Sequence, residues 1–172
     1  MRDAVIFDMD GLLLDTERVA LQAFKETCVF LDITFDHSVY NRCIGCTMET
    51  TKTILEDNIP SFPTKAFINY WNSLYHERAI ENPVPVKSGV TEFLTWLERS
   101  NIPCAVATST GLKNAKRKLT NANLIGHFSV LMTGDQVSRG KPHPEIYLTA
   151  AKKLGFSPQN CLALEDSDNG VR

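Results

Sequence analysis

Residues 5–11, Val-Ile-Phe-Asp-Met-Asp-Gly, constrain the fold of this chain more than any other stretch of its sequence. The first three are β-branched or aromatic, which is typical of a short buried strand. Asp8 and Asp10 follow directly, and Gly11 allows the chain to turn sharply behind them. Because ligands of α/β proteins bind beyond the carboxyl ends of the strands, this segment predicts two acids at the place where chemistry occurs.

Size and charge exclude several classes of protein. The 172 residues suit one domain, or a compact domain with a small insert, and 43% apolar residues are enough for a core. A net charge of −2 does not suggest a basic face for nucleic acid. The sequence has no apolar run long enough for a membrane span, and its N-terminus lacks the apolar region of a signal peptide. We therefore expect a cytoplasmic monomer without nucleic-acid or membrane partners.

The five cysteines do not form a disulfide framework, because their number is odd and their spacing is scattered. Cys43 and Cys46 form a single CxxC pair, which would need two further ligands to hold zinc. No nearby histidine or cysteine pair supplies those ligands. We therefore expect that this pair has no metal or redox role, and such a role is the less favoured alternative.

The hydrophobic pattern predicts four short strands, at residues 4–7, 104–107, 129–132 and 161–164. Between residues 16 and 82 only helical patterns occur, whereas helices and strands alternate from residue 83 onward. We predict an α/β fold with a Rossmann-like parallel sheet core, formed by residues 1–15 and 83–172. An all-α cap domain, residues 16–82, is inserted after the first strand.

One of the predicted helices, at residues 112–121, is rich in basic side chains. It carries Lys113, Lys116, Arg117 and Lys118. We interpret all four as a solvent-exposed face, since charged side chains are rarely buried. On this interpretation none of them takes part in chemistry.

Three of the predicted strands end in a polar cluster. The clusters are Asp8 with Asp10, Thr108 with Ser109, and Glu165 with Asp166. The carboxyl ends of parallel strands share one edge of a sheet, and Lys141, at the start of a helix, can reach the same edge. Carboxylates without histidine or cysteine suit Mg²⁺, and hydroxyl, amide and lysine donors suit the oxygens of a phosphate.

Taken in order, these clusters resemble the four motifs of the haloacid dehalogenase superfamily, and the likeness extends over the whole chain. The motifs are Asp-x-Asp-Gly at residues 8–11, Thr108 after a strand, Lys141-Pro142, and Glu-Asp-Ser at residues 165–167. Together with Asp-Thr-Glu at residues 15–17, they are similar to the phosphoglucomutase-like phosphatase branch, whose members carry a helical cap after the first strand. The resemblance implies a Mg²⁺-dependent phosphatase of a small phosphorylated metabolite, either a sugar phosphate or a nucleotide.

The resemblance also implies a role for each acid. Asp8 would attack phosphorus and form a covalent aspartyl-phosphate, and Asp10 would act as general acid and then as general base. The metal ligands would be Asp8, the backbone carbonyl of Asp10, Glu165 and Asp166. Of these, Glu165 and Asp166 would complete or orient the metal shell.

Phosphate and substrate contacts follow from the same resemblance. Thr108, the amide of Ser109 and Lys141 would stabilise the oxygens of the transferring phosphoryl group. The cap residues expected to contact the substrate are Arg42, Cys46, Thr47 and Lys52. For these four, ordinary cap surface is at least as good an alternative. The cap would open and close as a lid about hinges near residues 15–16 and 83–85.

Single residues distinguish between the related activities that occur on the same scaffold. Asp10 argues against a dehalogenase, because dehalogenases of the superfamily lack this second acid. Mutases of the family carry a cap histidine and a cap arginine where this chain has Ala20 and Met48. Hydrolysis is therefore favoured, and a sugar-phosphate mutase such as a beta-phosphoglucomutase is the alternative. Members of the family continue past Glu-Asp-Ser with a helix and a strand, so we expect this chain, which ends at Arg172, to lack the C-terminal strand.

Overall fold

The structure is a computed structural model that describes residues 3–44, 46 and 48–171. The strands are β1 (Ala4–Phe7), β2 (Cys104–Thr108), β3 (Val130–Thr133) and β4 (Cys161–Leu164). The helices are α1 (Thr16–Phe30), α2 (His37–Cys43), α3 (Met48–Asn58), α4 (Thr64–His76), α5 (Val90–Arg99), α6 (Leu112–Asn121), α7 (Glu145–Leu154) and α8 (Asp168–Val171). A π-helical turn at Glu77–Glu81 continues α4. In the described part of the chain, every helix is too short or too polar to cross a membrane. The predicted α/β class is confirmed.

The four strands form one parallel sheet in the order β3-β2-β1-β4. Strand β1 lies inside the sheet, where Ile6 pairs with Ala105 of β2 on one side and with Ala163 of β4 on the other. From β1 the chain adds β2 and β3 on one side and β4 on the opposite side. β1 and β4 therefore flank a topological switch point, the place where α/β sheets bind ligands.

Side chains on both faces of β1 are buried, which explains why this strand is continuously apolar. On one face, Ile6 belongs to a buried cluster that includes Ile146 of α7. On the other face, the ring of Phe7 makes edge-to-face contacts with Phe93 of α5 and with Phe128, with ring centres 5.9 and 6.0 Å apart. This packing holds the carboxyl end of β1 in one position.

The chain divides into two compact units, which we call the sheet unit (Met1–Glu17 with Ala79–Arg172) and the helical unit (Arg18–Arg78). The chain re-enters the sheet unit earlier than the predicted return at residue 83. Within the sheet unit, Ile80 is buried, and its carbonyl accepts a hydrogen bond from the side chain of Asn121 at 3.1 Å. The π-helical turn therefore belongs largely to the sheet unit.

An aromatic cluster occupies the centre of the helical unit. The ring of Phe24 in α1 lies edge-to-face against Tyr40, Phe67 and Trp71, with ring centres 4.9, 5.0 and 5.3 Å apart. Asp36 begins α2 as its N-cap and accepts a hydrogen bond from the backbone N–H of Ser38 at 2.7 Å. The described residues of this unit form helices and loops only.

Two segments of the sheet unit connect it to the insert, and they run side by side. The backbone N–H of Asp15 donates to the carbonyl of Pro85 at 2.9 Å, and that of Lys87 donates to the carbonyl of Leu13 at 3.0 Å. An isolated antiparallel bridge joins Leu14 to Val86 between them. The chain thus leaves the sheet unit and returns to it at one place.

Candidate active site

Asp8 lies directly after β1, beside the switch point. Its backbone N–H donates to the carbonyl of Leu164 at the end of β4, at 2.9 Å, so strand pairing fixes its position. The side chain is buried, and its Oδ1 lies 2.5 Å from Nζ of Lys141. Burial raises the pKa of Asp8 to about 7, although Lys141 opposes that shift. The carboxyl group is therefore held out of water beside one cation.

Lys141 joins Asp8 to a second acid. Its Nζ also lies 2.6 Å from Oε1 of Glu165, which follows β4. The hydroxyl of Tyr147 in α7 donates to the same oxygen at 2.9 Å, and Nζ of Lys141 lies 4.9 Å from the centre of the Tyr147 ring. Two carboxylate partners make the burial of this ammonium group tolerable, because unpaired buried charges are strongly unfavourable.

The second oxygen of Glu165 is also occupied by protein donors. Oε2 accepts hydrogen bonds from the backbone N–H groups of Asp166 and Ser167 at 3.0 Å and from the Ser167 hydroxyl at 2.9 Å. Burial acts to raise the pKa of Glu165, but the hydrogen bonds, first that from Lys141, lower it overall. A side chain at Gly170 of α8 would collide with this carboxylate. Glu165 is therefore a fixed anion that orients Lys141.

A cluster of acids at the sheet edge fits a divalent cation. Asp8, Glu165 and Asp166 each place one carboxylate oxygen within 4.8 Å of the others. Burial, and then the charge of Glu165, raises the pKa of Asp166. An all-oxygen donor set of this kind suits Mg²⁺. Because both oxygens of Glu165 already accept protein hydrogen bonds, Asp8 and Asp166 are the side chains best suited to coordinate the ion.

Gly11 permits this arrangement of acids. Its φ of +84° lies in the left-handed region, which side chains other than glycine rarely adopt. A Cβ at this position would also overlap the carboxylate of Asp166. The glycine of the first motif is therefore required both by the turn and by the close approach of an acid from the fourth motif.

Asp10 has partners of its own. Its Oδ1 lies 2.6 Å from Nζ of Lys118, and its Oδ2 accepts a hydrogen bond from the hydroxyl of Thr110 at 2.7 Å. Neither Lys118 nor Thr110 was predicted to belong to the site. The two acids of the first motif therefore have different cationic partners. Asp8 is paired with Lys141, and Asp10 is paired with Lys118.

The interpretation of Lys118 as part of a solvent-exposed face is wrong, because its side chain is 2% exposed. Lys113, Lys116 and Arg117 are exposed as expected. A signal for this difference was present in the sequence: Ala115, Lys118 and Leu119 follow helical spacing, and they are the buried residues of α6. The lysine occupies an inward position of an amphipathic helix.

Thr108 is the last residue of β2, and Ser109 follows it at the same edge of the sheet. Thr108 is buried, and its Oγ1 accepts a hydrogen bond from the backbone N–H of Thr110 at 3.1 Å. Ser109 is exposed, and its carbonyl lies so close to Gly134 that a side chain there would collide with it. The loop after β2 is thus held in a conformation that directs the hydroxyl of Thr110 to Asp10.

The predicted substrate-contacting residues of the cap lie in the helical unit. Arg42 is exposed, and its Nη1 donates to Oδ1 of Asn58 at 3.2 Å. Cys46 is exposed, and its thiol donates to the carbonyl of Arg42 at 3.2 Å. Cys43 is buried, with its thiol 3.3 Å from the carbonyl of Val39. Thr47 lies outside the described residues.

Comparison with known proteins gives consistent matches. A family profile described as haloacid dehalogenase-like hydrolase matches residues 5–172. A phosphorylated carbohydrates phosphatase from Thermotoga maritima is 33% identical over 175 residues, which cover 98% of this chain and 78% of that protein. A beta-phosphoglucomutase from Bacillus subtilis is 30% identical over 175 residues, covering 98% of this chain and 76% of that protein. The crystal structure of a hydrolase from Deinococcus radiodurans, with bound phosphate and sodium, superposes with a TM-score of 0.84 at 26% identity, covering 98% of this chain and 74% of that one.

Proposed function

This chain belongs to the haloacid dehalogenase-like hydrolase family, and from that premise we propose that it hydrolyses the phosphate ester of a small phosphorylated carbohydrate. The proposal is supported by relatives named as a phosphorylated carbohydrates phosphatase and a beta-phosphoglucomutase. It is also supported by the phosphate bound to a structurally similar hydrolase. The enzyme class is that of phosphoric monoester hydrolases, and the proposed intermediate is an aspartyl-phosphate on Asp8.

One observation carries this proposal. The carboxyl group of Asp8 is buried at the switch point of the sheet, 2.5 Å from the ammonium group of Lys141. A carboxylate placed beside a cation at this position suits attack on a phosphorus atom whose oxygens the cation neutralises. Lys141 is held in turn by Glu165, at 2.6 Å. Surface carboxylates that serve only solubility do not need such a buried anchor.

The proposed reaction has two steps. In the first, an oxygen of Asp8 forms a bond to phosphorus while the bond between phosphorus and the sugar oxygen breaks, and Asp10 gives its proton to that leaving oxygen. In the second, Asp10 takes a proton from water as the water oxygen attacks phosphorus. The bond between phosphorus and Asp8 then breaks, and inorganic phosphate leaves. Lys141, Thr108 and the amide of Ser109 are assigned to the phosphoryl oxygens.

We propose that Asp8, Asp166 and the backbone carbonyl of Asp10 hold Mg²⁺. When bound, the ion would supply the positive charge that lets a carboxylate approach a phosphate dianion. Glu165 belongs to the same acid cluster, but its hydrogen bonds from Lys141, Tyr147 and Ser167 favour an orienting role.

A sugar-phosphate mutase is the second candidate, because a relative of 30% identity carries the name beta-phosphoglucomutase. Hydrolysis is preferred because Ala20 and Met48 occupy the positions of the two cap residues expected of a mutase. For substrate selection we propose three residues of the helical unit. They are Arg42, Cys46 and Thr47.

The test is the hydrolysis of p-nitrophenyl phosphate by the wild type and by Asp8→Asn, each with Mg²⁺ and with a chelator. We expect Mg²⁺-dependent release of phosphate by the wild type only. Full activity of Asp8→Asn, or activity unchanged by the chelator, would overturn the proposed mechanism. A panel of sugar monophosphates then separates the two candidates, because a hydrolase releases inorganic phosphate whereas a mutase forms an isomeric sugar phosphate.

A further inference from the structure

Lys118 is a buried cation that the four motifs do not account for. Its side chain is 2% exposed, and its Nζ lies 2.6 Å from Oδ1 of Asp10, whose side chain is 27% exposed. Burial of an ammonium group is strongly unfavourable unless it is paired, and an apolar side chain would fill the same inward position of α6 without that cost. A lysine at this position therefore points to a function for its charge.

The partners of Asp10 hold its carboxyl group at both oxygens. Lys118 contacts Oδ1, and the hydroxyl of Thr110 donates to Oδ2 at 2.7 Å. These donors come from different places, one from α6 and the other from the loop after β2. Two contacts from different directions define the plane of a carboxyl group, whereas a single hydrogen bond leaves it able to rotate.

Helix α6 is itself fixed at its start, which gives Lys118 a defined position. The backbone N–H of Leu112, the first residue of α6, lies 3.2 Å from both carboxylate oxygens of Asp135. Asp135 is held in turn by a hydrogen bond from the hydroxyl of Thr133 at 2.6 Å. The end of β3 therefore sets the position of α6, and α6 sets the position of the lysine.

We propose that Lys118 is a positioning residue for Asp10. It holds the carboxyl group in the orientation from which a proton passes to the leaving oxygen and is later taken from water. This inference rests on the proposed function, in which Asp10 is the general acid and base. Lys118 exchanges no proton itself. Without it the carboxyl group, held by Thr110 alone, turns away from the leaving oxygen.

The test uses two substrates of nearly equal shape, p-nitrophenyl phosphate and phenyl phosphate, in the presence of Mg²⁺. The phenolate of the second is the poorer leaving group and depends more on protonation. For Lys118→Met, which keeps an unbranched side chain and removes its ammonium group, we expect kcat/KM for phenyl phosphate to fall roughly 10- to 100-fold more than kcat/KM for p-nitrophenyl phosphate. The control is Lys116→Met, an exposed lysine of the same helix, which should leave both values unchanged.

The outcomes separate positioning from a structural role. Equal losses on both substrates, or no loss, in a folded Lys118→Met protein would overturn the inference. If that variant does not fold, Thr110→Val removes the contact at the other oxygen, and the same preferential loss on phenyl phosphate is expected. An active Asp8→Asn variant would overturn the proposed function and this inference with it, whereas equal losses on the two substrates would overturn this inference alone.

Discussion

In the sheet unit the buried polar centre is a set of charges, whereas in the helical unit the buried centre is a set of aromatic rings. Asp8 and Glu165 share the ammonium group of Lys141 at 2.5 and 2.6 Å. In the helical unit, the ring of Phe24 contacts that of Phe67 with centres 5.0 Å apart. Buried ion pairs seldom stabilise more than apolar groups of the same volume, whereas buried aromatic pairs add to stability. We therefore expect substitutions at the sheet edge to lower activity, and substitutions in the aromatic cluster to lower stability.

The largest expected effect is that of Asp8→Asn on activity. Removal of the nucleophile should lower kcat by a factor on the order of 10⁴ or more, while thermal unfolding shifts little because the amide keeps the size of the carboxyl group. The measurements are Mg²⁺-dependent phosphatase kinetics and melting by circular dichroism. Asp57→Asn, at an exposed position of α3, is the control and should change neither. A large loss of thermal stability in Asp8→Asn would break the contrast between the two units.

The second largest expected effect is on stability rather than on activity. Phe67 is fully buried, with ring contacts to Phe24 and Phe62 at 5.0 Å, and Phe67→Ala should lower the free energy of unfolding by about 3–5 kcal/mol. The control is Phe30→Ala, because Phe30 is 63% exposed and should cost less than about 1 kcal/mol. Urea unfolding measures both. Similar costs for the two variants would refute the idea that burial of this cluster stabilises the helical unit.

A third pair of variants tests the orientation of Lys141. Glu165→Gln removes the charge that anchors the ammonium group and should lower kcat roughly 10- to 100-fold. Tyr147→Phe removes only one hydrogen bond to the same carboxylate and should have the smaller effect on kcat. Steady-state kinetics with Mg²⁺ give both values. A larger loss from Tyr147→Phe than from Glu165→Gln would contradict the proposed role of Glu165.

The smallest effect concerns a surface ion pair of the helical unit. Hydrogen bonds from Arg78, at 2.7 and 2.5 Å, lower the pKa of Glu26. Because the folded-state pKa lies below that of the unfolded chain, the pair stabilises the fold above the ordinary glutamate pKa of about 4.3, and this stabilisation is lost as pH falls through the folded-state value. The pair is partly exposed, so Arg78→Gln should cost only about 0.2–1 kcal/mol at neutral pH.

Urea unfolding at neutral and at strongly acidic pH checks this pH dependence. The difference between the wild type and Arg78→Gln should shrink at acidic pH, where Glu26 is protonated in both states. Lys52→Gln is the matched control, since Lys52 pairs with Glu49 at a longer distance of 3.4 Å and should show a smaller difference. A difference that persists unchanged in acid would show that Arg78 acts through packing rather than charge.

The sequence predicts the elements of the sheet unit well because their signals are local. The apolar run that ends at Asp8 predicts β1 at its observed residues, and the pattern at residues 112–121 predicts α6 at its observed bounds. The superfamily predicted from the motifs is confirmed by the family match over residues 5–172. The roles of Asp8, Asp10 and Lys141 in catalysis stay predictions until variants are measured.

Features that depend on contacts between distant residues could not be predicted in the same way. The ammonium group of buried Lys118 is paired with the carboxylate of Asp10, which is 108 residues away in sequence. The side chain of Asn121 donates to the carbonyl of Ile80, which is 41 residues away in sequence. The exposed and buried lysines of α6 are chemically alike, so composition alone does not separate them. Helical spacing with Ala115 and Leu119 does separate them, because it places Lys118 on the buried face of α6.

The two connecting segments of the sheet unit have a consequence for how such proteins diverge. Hydrogen bonds between Asp15 and Pro85, and between Lys87 and Leu13, hold the departing and returning chain side by side. For the sheet unit, the whole insert is therefore equivalent to a loop, and hydrogen bonds already hold the two ends of this loop together. The entropy of closing a loop grows only slowly with its length. Inserts of other sizes and sequences can therefore replace this one with little disturbance to the sheet, and the acids at the strand ends can stay as they are.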